Sequence, residues 1–223
     1  MDFNKIPRIK ICCINSVDEA RMAIKFGASA IGLVSEMPGG PGIVSEEKIT
    51  EIAGSIPPAI SSFLLTSKQN VDEIIIQQRR CKTNTIQLCD SLSPSQHREL
   101  RNELPGISVV QVIHITGEES VEEAKNASQY CHGLLLDSGN QKLEVKILGG
   151  TGKTHDWRIS KKIVDKVKIP VFLAGGLNPS NVKQAIKEVH PFGVDVCSGL
   201  RVNHNLVESR LTEFIYNVNH WFE

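Results

Sequence analysis

Two adjacent cysteines, Cys12 and Cys13, end the apolar run "IKICCIN" (9–15). A thiol at a strand end can serve as a base if nearby positive charge favours its thiolate. It can equally be a core filler, because cysteine is among the most buried residue types. Lys10 stands two residues before Cys12, so the two share one side of an extended strand. If Cys12 points inward, that alternation sends Cys13 outward. Asp137 ends a second apolar run, "GLLLD". There a carboxyl either caps the following turn or meets a substrate, and desolvation would raise its pKa and suit it to act as a general acid. Gly175 and Gly176 in "AGGLNP", and Ser198 and Gly199 in "CSGL", are residue types that let backbone N–H groups approach an anion. The competing reading of the glycine pair is a tight turn. His114 reads as a polar rim residue. Cys12, Cys89 and Cys197 all lie at strand ends and could together hold a soft metal, but the pattern has a different explanation below and no metal is expected.

These residues need a scaffold that brings strand ends together. Short apolar, β-branched runs occur at 8–14, 30–35, 60–66, 85–89, 108–115, 133–137, 170–175 and 193–198. Amphipathic stretches separate them. Residues 16–27 carry a helix signature: Ser16 as cap, Glu19 completing a capping box and Gly27 at the end. A helix is predicted over 70–81. Another is predicted over 178–190, opened by Asn178 as cap and Pro179 at the first helical position. Asp156 and Trp157 read as the cap and packing residue of the helix after strand six. Strand–helix alternation argues a parallel sheet, and eight units in this length argue a closed (β/α)8 TIM barrel of class α/β, one domain over 1–223. An open doubly wound sheet would place a glycine-rich fingerprint after the first strand, and "CCINSVDEA" has none. In a barrel the site forms at the C-terminal strand ends, with phosphate held by the loops after strands seven and eight. That is where the two glycine-containing pairs fall. The one long loop, 138–153, is of a length that is usually functional.

The 223 residues include 25 Lys and Arg against 25 Asp and Glu, for a formal charge of zero. No basic face announces nucleic acid. No apolar run reaches the ~18 residues of a membrane span, and the N-terminus lacks the apolar core of a signal peptide. A cytoplasmic location is expected, with all six cysteines reduced and most of them buried.

Taken together, these motifs resemble the phosphoribosylanthranilate isomerase family. "KICC" (10–13) stands where that family has Lys-Ile-Cys-Gly. "GASAIGLV" (27–34) resembles its Gly-Ala-Asp-Ala-hydrophobic-Gly run, and "QLCD" (87–90) stands for Gln-Leu-His-Gly. "LLLDS" (134–138), "GGTGKTHDW" (149–157), "PVFLAGGLNPSNVKQAI" (170–186) and "PFGVDVCSGL" (191–200) follow the family in order. The resemblance implies an Amadori rearrangement in tryptophan biosynthesis, with no cofactor or metal. By the same resemblance Cys12 takes the C2′ proton and Asp137 protonates the ribose ring oxygen. Gly175, Gly176, Ser198 and Gly199 grip the phosphate, and a loop at Gly150, Thr151, Gly152 and Lys153 closes over the substrate. The partner implied is a phosphorylated sugar, and the chain is expected to be a monomer or homodimer.

Three departures concern the anthranilate end. The family's glycine after the base is Cys13. Gly42 falls where the family has an arginine that pairs with the substrate carboxylate, a loss worth about 2–4 kcal/mol of affinity. Arg201 replaces a usual glutamate and is expected to supply the missing cation from the other side. The alternatives are an isomerase for another phosphoribosylamine and a non-catalytic phosphosugar-binding barrel.

Overall fold

The computed structural model describes residues 6–139 and 154–223. Eight parallel strands close into a barrel in chain order. They are β1 (Arg8–Ile11), β2 (Ala30–Val34), β3 (Ser61–Thr66), β4 (Thr85–Leu88), β5 (Ser108–His114), β6 (Gly133–Asp137), β7 (Val171–Leu173) and β8 (Gly193–Val196). Helices α1 (Val17–Phe26), α2 (Glu46–Gly54), α3 (Val71–Cys81), α4 (Pro94–Glu103), α5 (Glu119–Ala127), α6 (Trp157–Lys166), α7 (Val182–Val189) and α8 (Glu208–Asn219) follow the strands in turn. Closure matters most for the site. β1 pairs with β2 on one side and β8 on the other, in a register that sets Lys10 beside Asp195.

Local chemistry accounts for most element ends. The Ser16 hydroxyl accepts from the Glu19 N–H, and Gly27 ends α1 at φ 117°. The Glu19 carboxylate accepts from the Asn15 N–H instead of closing a capping box on Ser16, because it is drawn toward Arg201. Asn70 caps α3 and Asp156 caps α6, with Trp157 packed on the outer core. The predicted start of the seventh helix is displaced. Asn178 accepts from the Ser180 N–H in a local turn, and α7 begins only after Asn181. A short polar side chain there bonds its own backbone in competition with the helix.

Side chains alternate between two apolar layers. Ile9, Ile11, Ile31, Leu33, Leu134 and Leu136 face the helices. Phe63, Leu65, Val110, Val112, Leu135 and Phe172 fill the barrel. Phe172 packs edge-on against both Phe63 and Phe192. This inner plug leaves the C-terminal end of the barrel as the place where polar groups collect. No described helix is long and apolar enough to cross a membrane.

Candidate active site

Lys10 is the largest fully buried side chain of the barrel. Its ammonium forms an ion pair with Asp195 at 2.9 Å and lies 5.2 Å from the centre of the Phe63 ring. Removing one member of such a pair would strand the other charge in a low dielectric. Asp195 holds the Lys10 pKa above its ordinary value against the opposing effect of burial. The same ammonium faces the Cys12 thiol. Burial pushes that thiol up, Lys10 pulls it down, and the outcome is about 11. Gly32 makes the arrangement possible: a methyl group there would stand 2.7 Å from the Cys12 sulfur and 3.0 Å from the Lys10 nitrogen.

Cys12, Asp137, Gly175, Gly176 and Ser198 line one cavity at the C-terminal end of the barrel, joined by Asp195, Gln87 and Cys89. Gly199 lies behind the rim, against the Leu177 carbonyl. Asp137 ends β6 and accepts from the Ser138 N–H at 2.7 Å. Desolvation raises its pKa, in the direction that keeps a carboxyl protonated. Gly175 and Gly176 hold φ values of 80° and 64°, forming a curl against Ser138 and His155. Burial pushes His155 down to about 4, so a neutral ring backs that curl. His114 is buried; its Nε2 lies 3.1 Å from the Cys89 carbonyl oxygen, while its Nδ1 has no hydrogen-bond partner among the described residues. Gly150, Thr151, Gly152 and Lys153 lie outside the described residues.

Three expectations need correction. First, Cys13 does not point to the helices. Its φ of 61° breaks the strand alternation and turns its side chain into the inner cluster. Second, the cysteines are not all reduced. Cys13 and Cys197 form a disulfide, with α-carbons 5.9 Å apart across 184 residues of sequence. They meet because barrel closure sets the end of β1 beside the end of β8. With Cys197 bonded in this way, the three-thiol metal set is not assembled, and no group of three candidate ligands occurs among the described residues. Third, Arg201 does not face the aglycone end. Both its terminal nitrogens engage Glu19, at 2.9 and 3.0 Å, and it donates to the Cys13 carbonyl at 2.7 Å. It braces the β1–α1 turn from behind and is absent from the cavity wall.

Gly42 stands against Cys13. A methyl group at Gly42 would come 2.5 Å from the Cys13 β-carbon, and Gly42 itself sits at φ 75°. The two departures are therefore one spatial unit. The neighbouring segment supplies Met37, Gly39, Gly40 and Pro41 to the cavity wall, an apolar surface suited to an aromatic ring.

Three further residues complete the site. Asn181 accepts from the Asn178 N–H and donates to the Gly176 carbonyl, pinning the glycine curl. Its place in "GGLNPSN" gives it away only once the helix start is known. Gly32 was readable as a glycine inside an apolar strand, a mark of close approach. Asp195 shares a strand side with Cys197 in "GVDVCS", but its partner is 185 residues earlier and carries no local signal.

The chain matches the family model for N-(5'-phosphoribosyl)anthranilate (PRA) isomerase over residues 9–205. It is 31% identical to the N-(5'-phosphoribosyl)anthranilate isomerase of Methanocella arvoryzae, covering 95% of this chain and 97% of the relative. It is 36% identical to that of Microcystis aeruginosa, covering 86% and 88%. Among solved structures, phosphoribosyl anthranilate isomerase from Thermotoga maritima superposes with a TM-score of 0.83 at 28% identity, covering 96% of this chain and 99% of that one. A structure of the enzyme in complex with reduced 1-(o-carboxyphenylamino)-1-deoxyribulose 5-phosphate gives 0.80 at 26% identity, covering 96% and 99%. The chain belongs to the N-(5'-phosphoribosyl)anthranilate isomerase family.

Proposed function

We propose that this protein catalyses the Amadori rearrangement of N-(5'-phosphoribosyl)anthranilate, with Cys12 as general base and Asp137 as general acid. The observation that carries this reading is one cavity lined by a thiol, a carboxyl with a raised pKa and the glycine curl after β7. The phosphate is held by backbone groups at Gly175, Gly176, Ser198 and Gly199, which anchors the ribose between the two reacting side chains. Asp137 gives its proton to the ring oxygen as the C1′–O bond breaks, leaving an iminium at C1′. That cation lies next to C2′ and makes its proton acidic. It also lowers the cost of a thiolate nearby, to which the Lys10 ammonium adds. Cys12 removes the C2′ proton to give an enolamine, which tautomerises to the ketone. Every atom of the substrate is retained, as an isomerisation requires. The anthranilate ring rests on the apolar segment 37–41, and among the described residues no lysine or arginine lines the cavity to pair with its carboxylate, Lys10 being buried against Asp195.

The related phosphoribosylanthranilate isomerase of Thermotoga maritima is dimeric. Here a monomer or homodimer in the cytoplasm is proposed, to be decided by light scattering. Incubation with phosphoribosylanthranilate, followed by loss of anthranilate fluorescence, tests the activity. Sustained loss confirms it. A flat trace, with inorganic phosphate still displacing a bound probe, would move the assignment to another phosphoribosylamine or to a binding role.

A further inference from the structure

Cys13 directly follows Cys12, and Cys197 directly precedes Ser198. The disulfide between them therefore ties the peptide carrying the thiol to the peptide carrying half of the phosphate grip. Both sulfur-bearing residues line the cavity. Cys13 is held from three sides: by Cys197, by Gly42 against its β-carbon, and by Arg201 on its carbonyl. Its φ of 61° is uncommon for a residue with a side chain and persists where the surroundings enforce it.

We propose that the Cys13–Cys197 disulfide is a positioning cross-link, which fixes Cys12 relative to the phosphate loop and makes turnover responsive to dithiol reductants. The proposal rests on the isomerase reading for its kinetic consequence. The chemistry balances simply. A thiolate of the dithiol attacks one sulfur and displaces the other cysteine as a thiolate; its second thiol then resolves the mixed disulfide. The protein gains two electrons and two protons, and the reductant leaves as its own disulfide. Without the bond, the turn at Cys13 loses one of its three restraints, and Cys12 shifts from the position that faces C2′. A shift on the order of 1 Å can cost up to about 10²-fold in rate. In compartments where thiols are kept reduced, the disulfides that do form are usually transient and catalytic or redox-sensing.

The test uses the whole protein equilibrated with oxidised glutathione, then labelled with maleimide in denaturant. Four labels and a joined Cys13–Cys197 peptide are expected, and six labels or another pairing would overturn the proposal. Treatment with dithiothreitol should lower kcat about tenfold with a smaller change in KM, and an unchanged kcat would overturn it. The Cys13→Gly, Cys197→Ala double variant should turn over like the reduced enzyme and ignore the reductant. A variant that still responds to dithiothreitol would count against the cross-link. If neither redox form turns over, the isomerase reading fails by itself. The cross-link is then judged by mass-resolved iodoacetamide labelling of Cys12 at native pH. Reduction should raise that rate several-fold, and equal rates would reject it.

Discussion

The two sides of the cavity are built in opposite ways. On the β7–β8 side, short segments make the proposed phosphate loop: Gly175 and Gly176 curl, and Asn181 pins them from five residues away. On the β1 side almost everything is long-range. Lys10 meets Asp195, Cys13 meets Cys197, and Glu19 meets Arg201, each across more than 180 residues. An anion held by backbone groups needs only a local curl. A buried thiol base needs charge brought from elsewhere, because burial alone makes it a poor one.

This contrast can be broken or sharpened by substitution. The largest effect is expected at the proposed acid–base pair. Cys12→Ser and Asp137→Asn should each lower kcat about 10²–10⁴-fold, with inorganic phosphate binding unchanged by equilibrium titration. Next come the buried charges. Lys10→Met should cost about 3–5 kcal/mol in urea unfolding, because Asp195 is left unpaired. Pairing it with Asp195→Leu should restore most of that stability but not the turnover, which separates the electrostatic role of Lys10 from its structural one. A smaller effect is expected at Gly42→Ala, about 2 kcal/mol in the same assay, since alanine there meets Cys13 at a positive φ. In a Cys13→Gly background the same substitution should cost less, and an equal cost would dissolve the unit formed by the two residues. On the local side, Asn181→Ala should raise KM by about five- to tenfold, the loss of hydrogen bonds worth about 1 kcal/mol, with little change in kcat.

The legibility of the sequence follows the same division. Eight apolar runs, the caps at Ser16 and Asp156, the helix over 70–81 and the glycine pair are local signals, and all of them survive in the structure. The direction of Cys13 was misread because period-two alternation assumes ordinary strand dihedrals, and a φ of 61° reverses it. Arg201 was misassigned because a charge count gives no direction; its true partner, Glu19, was itself read as a capping residue. The start of α7 was misplaced because Asn-Pro can open a helix or a turn, and the Asn178 side chain favours the turn. The disulfide was missed because closure of the barrel, not spacing along the chain, brings its two sulfurs together.

The pairing of a thiol near 11 with a carboxyl raised from its ordinary range has one direct signature. In the proposed mechanism the reactive form needs Asp137 protonated and Cys12 ionised, while a thiol near 11 is protonated at neutral pH. Between the two pKa values the fraction in the reactive form is constant, since each pH unit gained by the thiolate is lost by the acid. The pH dependence of kcat/KM, which reports the free enzyme, should therefore be flat between the Asp137 pKa and the Cys12 pKa near 11. It should fall on the acid side below the raised Asp137 pKa, and on the alkaline side only near 11. An alkaline limb already falling near neutrality would mean that neither group titrates near 11, and would contradict the account.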